Sequence, residues 1–214
     1  MKRAFTLLEI VLTVIVIGII SSIMVPRLTD TSLHKAAEQI MFHLRYTQHL
    51  ALTENHFNPD DRYWYKSRWQ LYFSYCRGDN DQCGYTVFSD RLNDHRGNPD
   101  PPEIAINPLN PSQFLTGGSP GNKLIHYDDK EATKSMNLGR TYGIKKVSVK
   151  NCGRAKRIAF DYIGRPIVGN MRTMKSVYQK KRLLDKKCMI TLIKDKSEKA
   201  TIVIEPESGY VYLL

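Results

Sequence analysis

The sequence lacks every short motif by which an enzyme is commonly read. It has no glycine-rich phosphate loop, no H-E-x-x-H and no C-x-x-C. None of its histidines (His34, His43, His49, His56, His95, His126) stands four residues from another, and those between His34 and His56 read as decoration of an exposed helix face. No catalytic residue, cofactor or metal is therefore expected. Cysteine is scarce as well: the 4 present, Cys76, Cys83, Cys152 and Cys188, do not fall in the C-x2-C pairs of a zinc site. Asp79-Asn80-Asp81-Gln82-Cys83-Gly84 resembles a calcium loop only in part, with Cys83 where an oxygen ligand is needed. There is no internal repeat.

Carboxylates are scarce in two stretches, and each scarcity says something. Between Phe5 and Val25 the single charge is Glu9, and Lys2 and Arg3 stand ahead of it. An apolar run of this length matches the ~20 residues a helix needs to cross a bilayer, and the basic start favours a cytoplasmic N-terminus. A secretory signal would be shorter and end in a small-x-small site, whereas this run ends Ser21-Ser22-Ile23-Met24-Val25. A buried core helix would not be apolar all round from Ile10 to Ile20. A plain anchor explains the length but not Glu9, since a carboxylate in lipid costs up to ~3 kcal/mol and usually has a partner or a function.

Lys2-Arg3-Ala4 followed by Phe5-Thr6-Leu7-Leu8-Glu9-Ile10 resembles the cleavage and methylation motif of type IV prepilins and type II secretion pseudopilins. The family usually has glycine where this chain has Ala4. The resemblance implies cutting by a prepilin peptidase between Ala4 and Phe5, N-methylation of Phe5, and Glu9 as the assembly carboxylate that answers a neighbouring subunit's Phe5 amine. It also implies, as partners, other pilin or pseudopilin subunits, the peptidase and an inner-membrane assembly platform. The expected location is a single pass through the bacterial inner membrane with the rest in the periplasm.

The second stretch poor in carboxylates runs from Arg140 to Lys199, with 18 Lys+Arg against 4 Asp+Glu, whereas Thr53 to Gly139 holds 9 against 12. Lys145, Lys146, Lys150, Arg154, Lys156 and Arg157 form one basic cluster, and Lys180, Lys181, Arg182, Lys186 and Lys187 form another. A solvated surface and an electropositive face for DNA, anionic lipid or an acidic partner are the two readings. In an oxidising compartment the cysteines pair. Of three possible pairings, loop length favours Cys76 with Cys83, which leaves Cys152 with Cys188 and would set the two basic clusters side by side.

After Pro26, Ala36, Ala37, Ile40, Met41, Leu44, Gln48, Ala51 and Leu52 form a mostly apolar stripe at spacings of three and four. The spacing predicts one helix from Phe5 to about Glu54, roughly 75 Å long, divided into a spanning half (5–25) and an amphipathic half (26–57) behind a leader (1–4). The remainder, 58–214, reads as a β-rich domain. Strands are predicted at Arg68 to Tyr75, Tyr85 to Phe88, Ile144 to Lys150, Arg157 to Tyr162, Met189 to Ile193, Ala200 to Ile204 and Tyr210 to Leu213. The Pro- and Gly-rich stretch Asn93 to Gly121 reads as a loop insertion. The expected fold is α+β, a long helix packed on an antiparallel sheet. The order of Leu44-Arg45-Tyr46, Trp69, Phe160-Asp161-Tyr162-Ile163-Gly164-Arg165-Pro166 and Gly209-Tyr210-Val211 is similar to the GspH/FimT group of minor pilins and pseudopilins. Some of these serve as DNA receptors, so the resemblance permits a DNA role for the basic clusters.

Overall fold

A computed structural model describes residues 6–24, 31–54, 56–74, 76, 83–92, 95–118 and 125–214. The chain divides into two compact units, Met1–Thr31 and Ser32–Leu214. The first contains α1 (Leu7–Met24). Thr6 starts it: the Thr6 carbonyl accepts from the Glu9 and Ile10 amides, and the Thr6 hydroxyl oxygen lies 3.4 Å from the Glu9 amide. That satisfies one of the donors every helix start leaves orphaned.

Two expectations are corrected at this point. The described residues hold an 18-residue α1 and, separately, a 22-residue α2 (Ser32–Thr53), not one helix of some fifty residues. Pro26 and its neighbours up to Asp30 lie outside the described residues. The 3.6-residue period is the same in both helices, so periodicity alone could not set their bounds. The second correction concerns the membrane: among the described residues no helix is long and apolar enough to cross one, which removes the basis for a single-pass anchor. Eighteen residues rise about 27 Å, short of a ~30 Å hydrocarbon core, and Glu9 takes apolar length from one end.

The second unit is built on α2 and eight strands. Four form one antiparallel sheet in the order β2-β1-β4-β5: β1 (Trp69–Ser74), β2 (Gly84–Ser89), β4 (Arg157–Phe160) and β5 (Pro166–Val168). The other four form a second antiparallel sheet in the order β3-β6-β7-β8: β3 (Lys146–Lys150), β6 (Cys188–Ile193), β7 (Lys199–Ile204) and β8 (Val211–Leu213). The single sheet expected from the sequence is thus two. Alternation assigns a strand its faces but not its neighbours.

Burial explains the difference between the sheets. In the second, Cys188, Ile190 and Leu192 point into the core while Met189, Thr191 and Ile193 are half-exposed, the pattern of a sheet with one wet face. The first sheet is covered on both sides. Trp69, Leu71, Phe73, Tyr85, Val87, Ile158 and Phe160 share one large core with Ala36, Ala37, Ile40 and Leu44 of α2. The opposite face, bearing Phe88 and Ala159, is covered by smaller clusters around Tyr65, Ile104, Ile125 and Met171. The stretch read as a loop insertion therefore has a structural task. Its bridges Phe88–Ile104 and Thr86–Thr116 run along β2, and single apolar residues among its prolines and glycines roof the sheet.

Both expected disulfides are present, Cys76–Cys83 and Cys152–Cys188. Between them they close loops with sequence separations of 7 and 36.

Candidate functional site

The first candidate is α1 itself. From Leu7 to Ile20 every residue is exposed, with apolar side chains between 44% (Val16) and 82% (Leu7) accessible. Leu7, Val11, Leu8, Leu12, Val16, Ile20 and Ile17 follow one another round the circumference, with Glu9 and Thr13 the exposed polar side chains among them. Glu9, also exposed, sits in the first turn of α1, where the helix dipole favours a carboxylate. Thr6-Leu7-Leu8-Glu9 has the T-x-x-E spacing of a capping box, of which the structure shows the Thr6 hydroxyl facing the Glu9 amide. Ala4 and Phe5, the expected cleavage and methylation positions, lie outside the described residues, as does most of the calcium-like stretch, Asp79 to Gln82. Among the described residues, no group of His, Cys, Asp or Glu could hold a metal ion.

The second candidate is the basic region, which the fold sorts into exposed and committed members. Lys146 and Lys150 stand on the wet face of β3, with Val147 and Val149 turned inward. Lys145 precedes them and Arg154 follows in the next turn, both exposed. Lys156 is half-buried and its ammonium donates to the Cys76 carbonyl at 2.6 Å. Arg157 leaves the group altogether. It is buried, its guanidinium lies 4.0 Å from the Tyr72 ring centre and donates to the Gly97 carbonyl, and burial lowers its pKa. Strand alternation is the cause: on β4, Arg157 faces Tyr72 and Phe88 under the insertion.

In the second cluster, Lys180, Lys181, Lys186 and Lys187 are exposed. Lys187 pairs with Glu205 at 2.7 Å, and hydrogen bonds to Glu205 and the Tyr212 hydroxyl raise its pKa. Arg182 folds back over Gly169, donating to the Val168 carbonyl at 3.4 Å and the Thr173 hydroxyl at 2.5 Å. The Cys152–Cys188 bond ties the two clusters together as expected, and the Asn151 side chain adds a hydrogen bond to the Lys187 carbonyl at 3.2 Å.

A buried polar network under α2 also escaped the sequence reading. His43, read as an exposed helix residue, is 6% exposed. Its Nδ1 lies 2.6 Å from the Tyr85 hydroxyl, which accepts from Gln39 Nε2 at 2.8 Å. Gln39 Oε1 in turn accepts from the Tyr142 hydroxyl at 2.8 Å. The Tyr85 hydroxyl thus links Gln39 to His43, and burial keeps the imidazole neutral. Burial draws the His43 pKa down to about 4 and pushes the Tyr85 hydroxyl up. The network pins α2 to β2 through Gln39, His43 and Tyr85.

In comparisons with known proteins, no family model, no curated protein and no solved structure matches the chain.

Proposed function

We propose that the chain is a structural subunit of a filament, joined to its neighbours through α1 and carrying no catalysis of its own. The observation that supports this most is the bare surface of α1, with apolar side chains on every side, Glu9 its single charge and the Thr13 hydroxyl turned back to the Ile10 carbonyl. An extended apolar surface of this kind is a contact surface in need of cover, and equivalent helices of other copies would cover it on all sides at once. The resemblance of Lys2-Arg3-Ala4-Phe5-Thr6-Leu7-Leu8-Glu9 to the prepilin motif names the machine: a type II secretion pseudopilus or a type IV pilus. Processing before Phe5 would free an amine, and Glu9 of one subunit would neutralise the Phe5 amine of the next. Within a packed bundle of apolar helices a stranded charge costs roughly 3 kcal/mol or more, so pairing sets the register. A DNA-receptor duty would draw on Lys146, Lys150, Arg154 and the exposed lysines beyond; the loss of Arg157 to the interior counts against it.

Two variants test the assembly role against the capping role. Glu9→Gln keeps an acceptor in the first turn and removes the charge, whereas Glu9→Leu removes both. Both should fall about tenfold or more in recovery with sheared filaments, because either strands the neighbour's amine. Filaments that take up Glu9→Gln as readily as the parent would leave Glu9 a helix cap only.

A further inference from the structure

We infer that β3 is the docking edge for an extended, acidic segment of a partner protein, which adds to the second sheet as a fifth strand. Two sheets have four edges; two are bridged by other segments, and a third is three residues long. The outer side of β2 is bridged by Ile104, Thr116 and Asn137, and that of β5 by Leu183. The short β8 has its Val211 carbonyl taken by the Arg45 guanidinium at 2.7 Å. On β3, among the described residues, the sole bridges run to β6. An uncovered edge is a row of unanswered backbone donors and acceptors, a ready template for another strand.

A groove of about 500 Å³ follows this edge. It is lined by Lys146, Val147, Ser148 and Val149 in succession, then by Asn151, Gly153, Arg154 and Lys156. A cavity over one face of a strand would touch every second residue, so a lining of consecutive residues places it along the edge. No carboxylate lines it. The side chains also specify the occupant. An added strand would set its residues on one face beside Lys146, Ser148 and Lys150, and on the other beside Val147 and the half-buried Val149. The first position calls for carboxylates and the second for apolar groups, in alternation. A second copy of β3 does not fit, because antiparallel pairing about Ser148 would set Lys146 against Lys150. The lysines thus bar self-association and admit an acidic strand.

The proposal is independent of filament assembly and is tested on the full chain in mild detergent. Fluorescence polarisation follows a labelled peptide that alternates glutamate with valine, its lysine–valine counterpart, and two copies N-methylated on one or the other set of alternate amides. The glutamate peptide should bind, the lysine peptide should not, and one N-methylated copy should fail while the other is retained. Hydrogen exchange should slow at the β3 amides on binding. Lys146→Glu with Lys150→Glu should weaken the glutamate peptide by about tenfold or more and admit the lysine peptide. Absence of binding by the glutamate peptide would overturn the inference. Equal binding by both N-methylated copies would do so too, reducing the edge to a charged surface. Displacement of the peptide by a short DNA duplex of higher affinity would instead make the face a nucleic-acid site.

Discussion

A buried imidazole is costly to charge, and of the buried imidazoles His43 is the one drawn down furthest, with His56 shifted the same way. The His43 pKa falls to about 4 in the fold because desolvation disfavours the cation. Unfolded, it titrates near 6.5. Between these values the unfolded chain binds more protons than the folded one, so stability rises with pH. The contribution is complete above about pH 6.5 and drains away as pH falls towards 4, amounting to about 3 kcal/mol. Urea midpoints of the parent should therefore drop across that window, and His43→Gln, which keeps a partner for Tyr85 but does not titrate there, should flatten the drop. Identical acid limbs in the two proteins would remove His43 from the account. The residue also shows where reading by pattern stopped. The apolar stripe of α2 was legible at Ala36, Ala37, Ile40, Leu44 and Ala51, all buried as expected. His43 and Thr47 lie on the same buried side, and Leu52 does not (53% exposed), because polar partners on Tyr85 and the turn of the helix end decide those positions. Arg157 was misplaced for the same reason, since a cation in a charged run gives no hint of an aromatic ring waiting beneath it.

Elements were easier to find than their neighbours. β1, β2, β4, β6 and β7 announce themselves in β-branched and aromatic residues, whereas β5 hides behind Pro166, which reads as the end of a turn. The disulfides carry the fold's longest local constraints, and their loops predict unequal worth. Loop entropy gives about 4 kcal/mol for Cys152–Cys188 and about 2 kcal/mol for Cys76–Cys83, whose separations are 36 and 7. Paired alanine substitutions should show that order in chemical unfolding, and a larger loss at Cys76 and Cys83 would contradict it. A second constraint joins α2 to two turns. The Gln48 amide donates to the Gly164 and Ser208 carbonyls, each at 2.8 Å, beside Gly209 at φ +66°. A Cβ at Gly209 would lie 2.7 Å from Gln48 Nε2 and 2.9 Å from the Gly164 oxygen. Gly209→Ala should cost about 2 kcal/mol, and adding Gln48→Ala should not restore it, because the Gly164 oxygen and the left-handed backbone remain. Full recovery in the double variant would mean that the amide alone was in the way.

At the scale of the whole chain, division into two units separates joining from folding. The large core, both disulfides and the His43 network belong to Ser32–Leu214, and the bare apolar surface belongs to the unit that holds α1. The sequence disclosed the apolar helix and the β-rich remainder, but not the division of the chain into units Met1–Thr31 and Ser32–Leu214. A subunit divided in this way can lose its joining helix without losing its fold. A chain beginning at Ser32 should keep its thermal midpoint within about 2 °C of the parent, less than the 2–4 °C that a single kcal/mol moves a protein of this size. It should remain dispersed without detergent, since Leu7 to Ile20 are gone, and should be absent from sheared filaments. A midpoint lower by many degrees would mean that α1 is needed to hold the domain together. Filaments containing the shortened chain would instead place the joining contacts on the domain and leave the apolar helix without the role proposed for it.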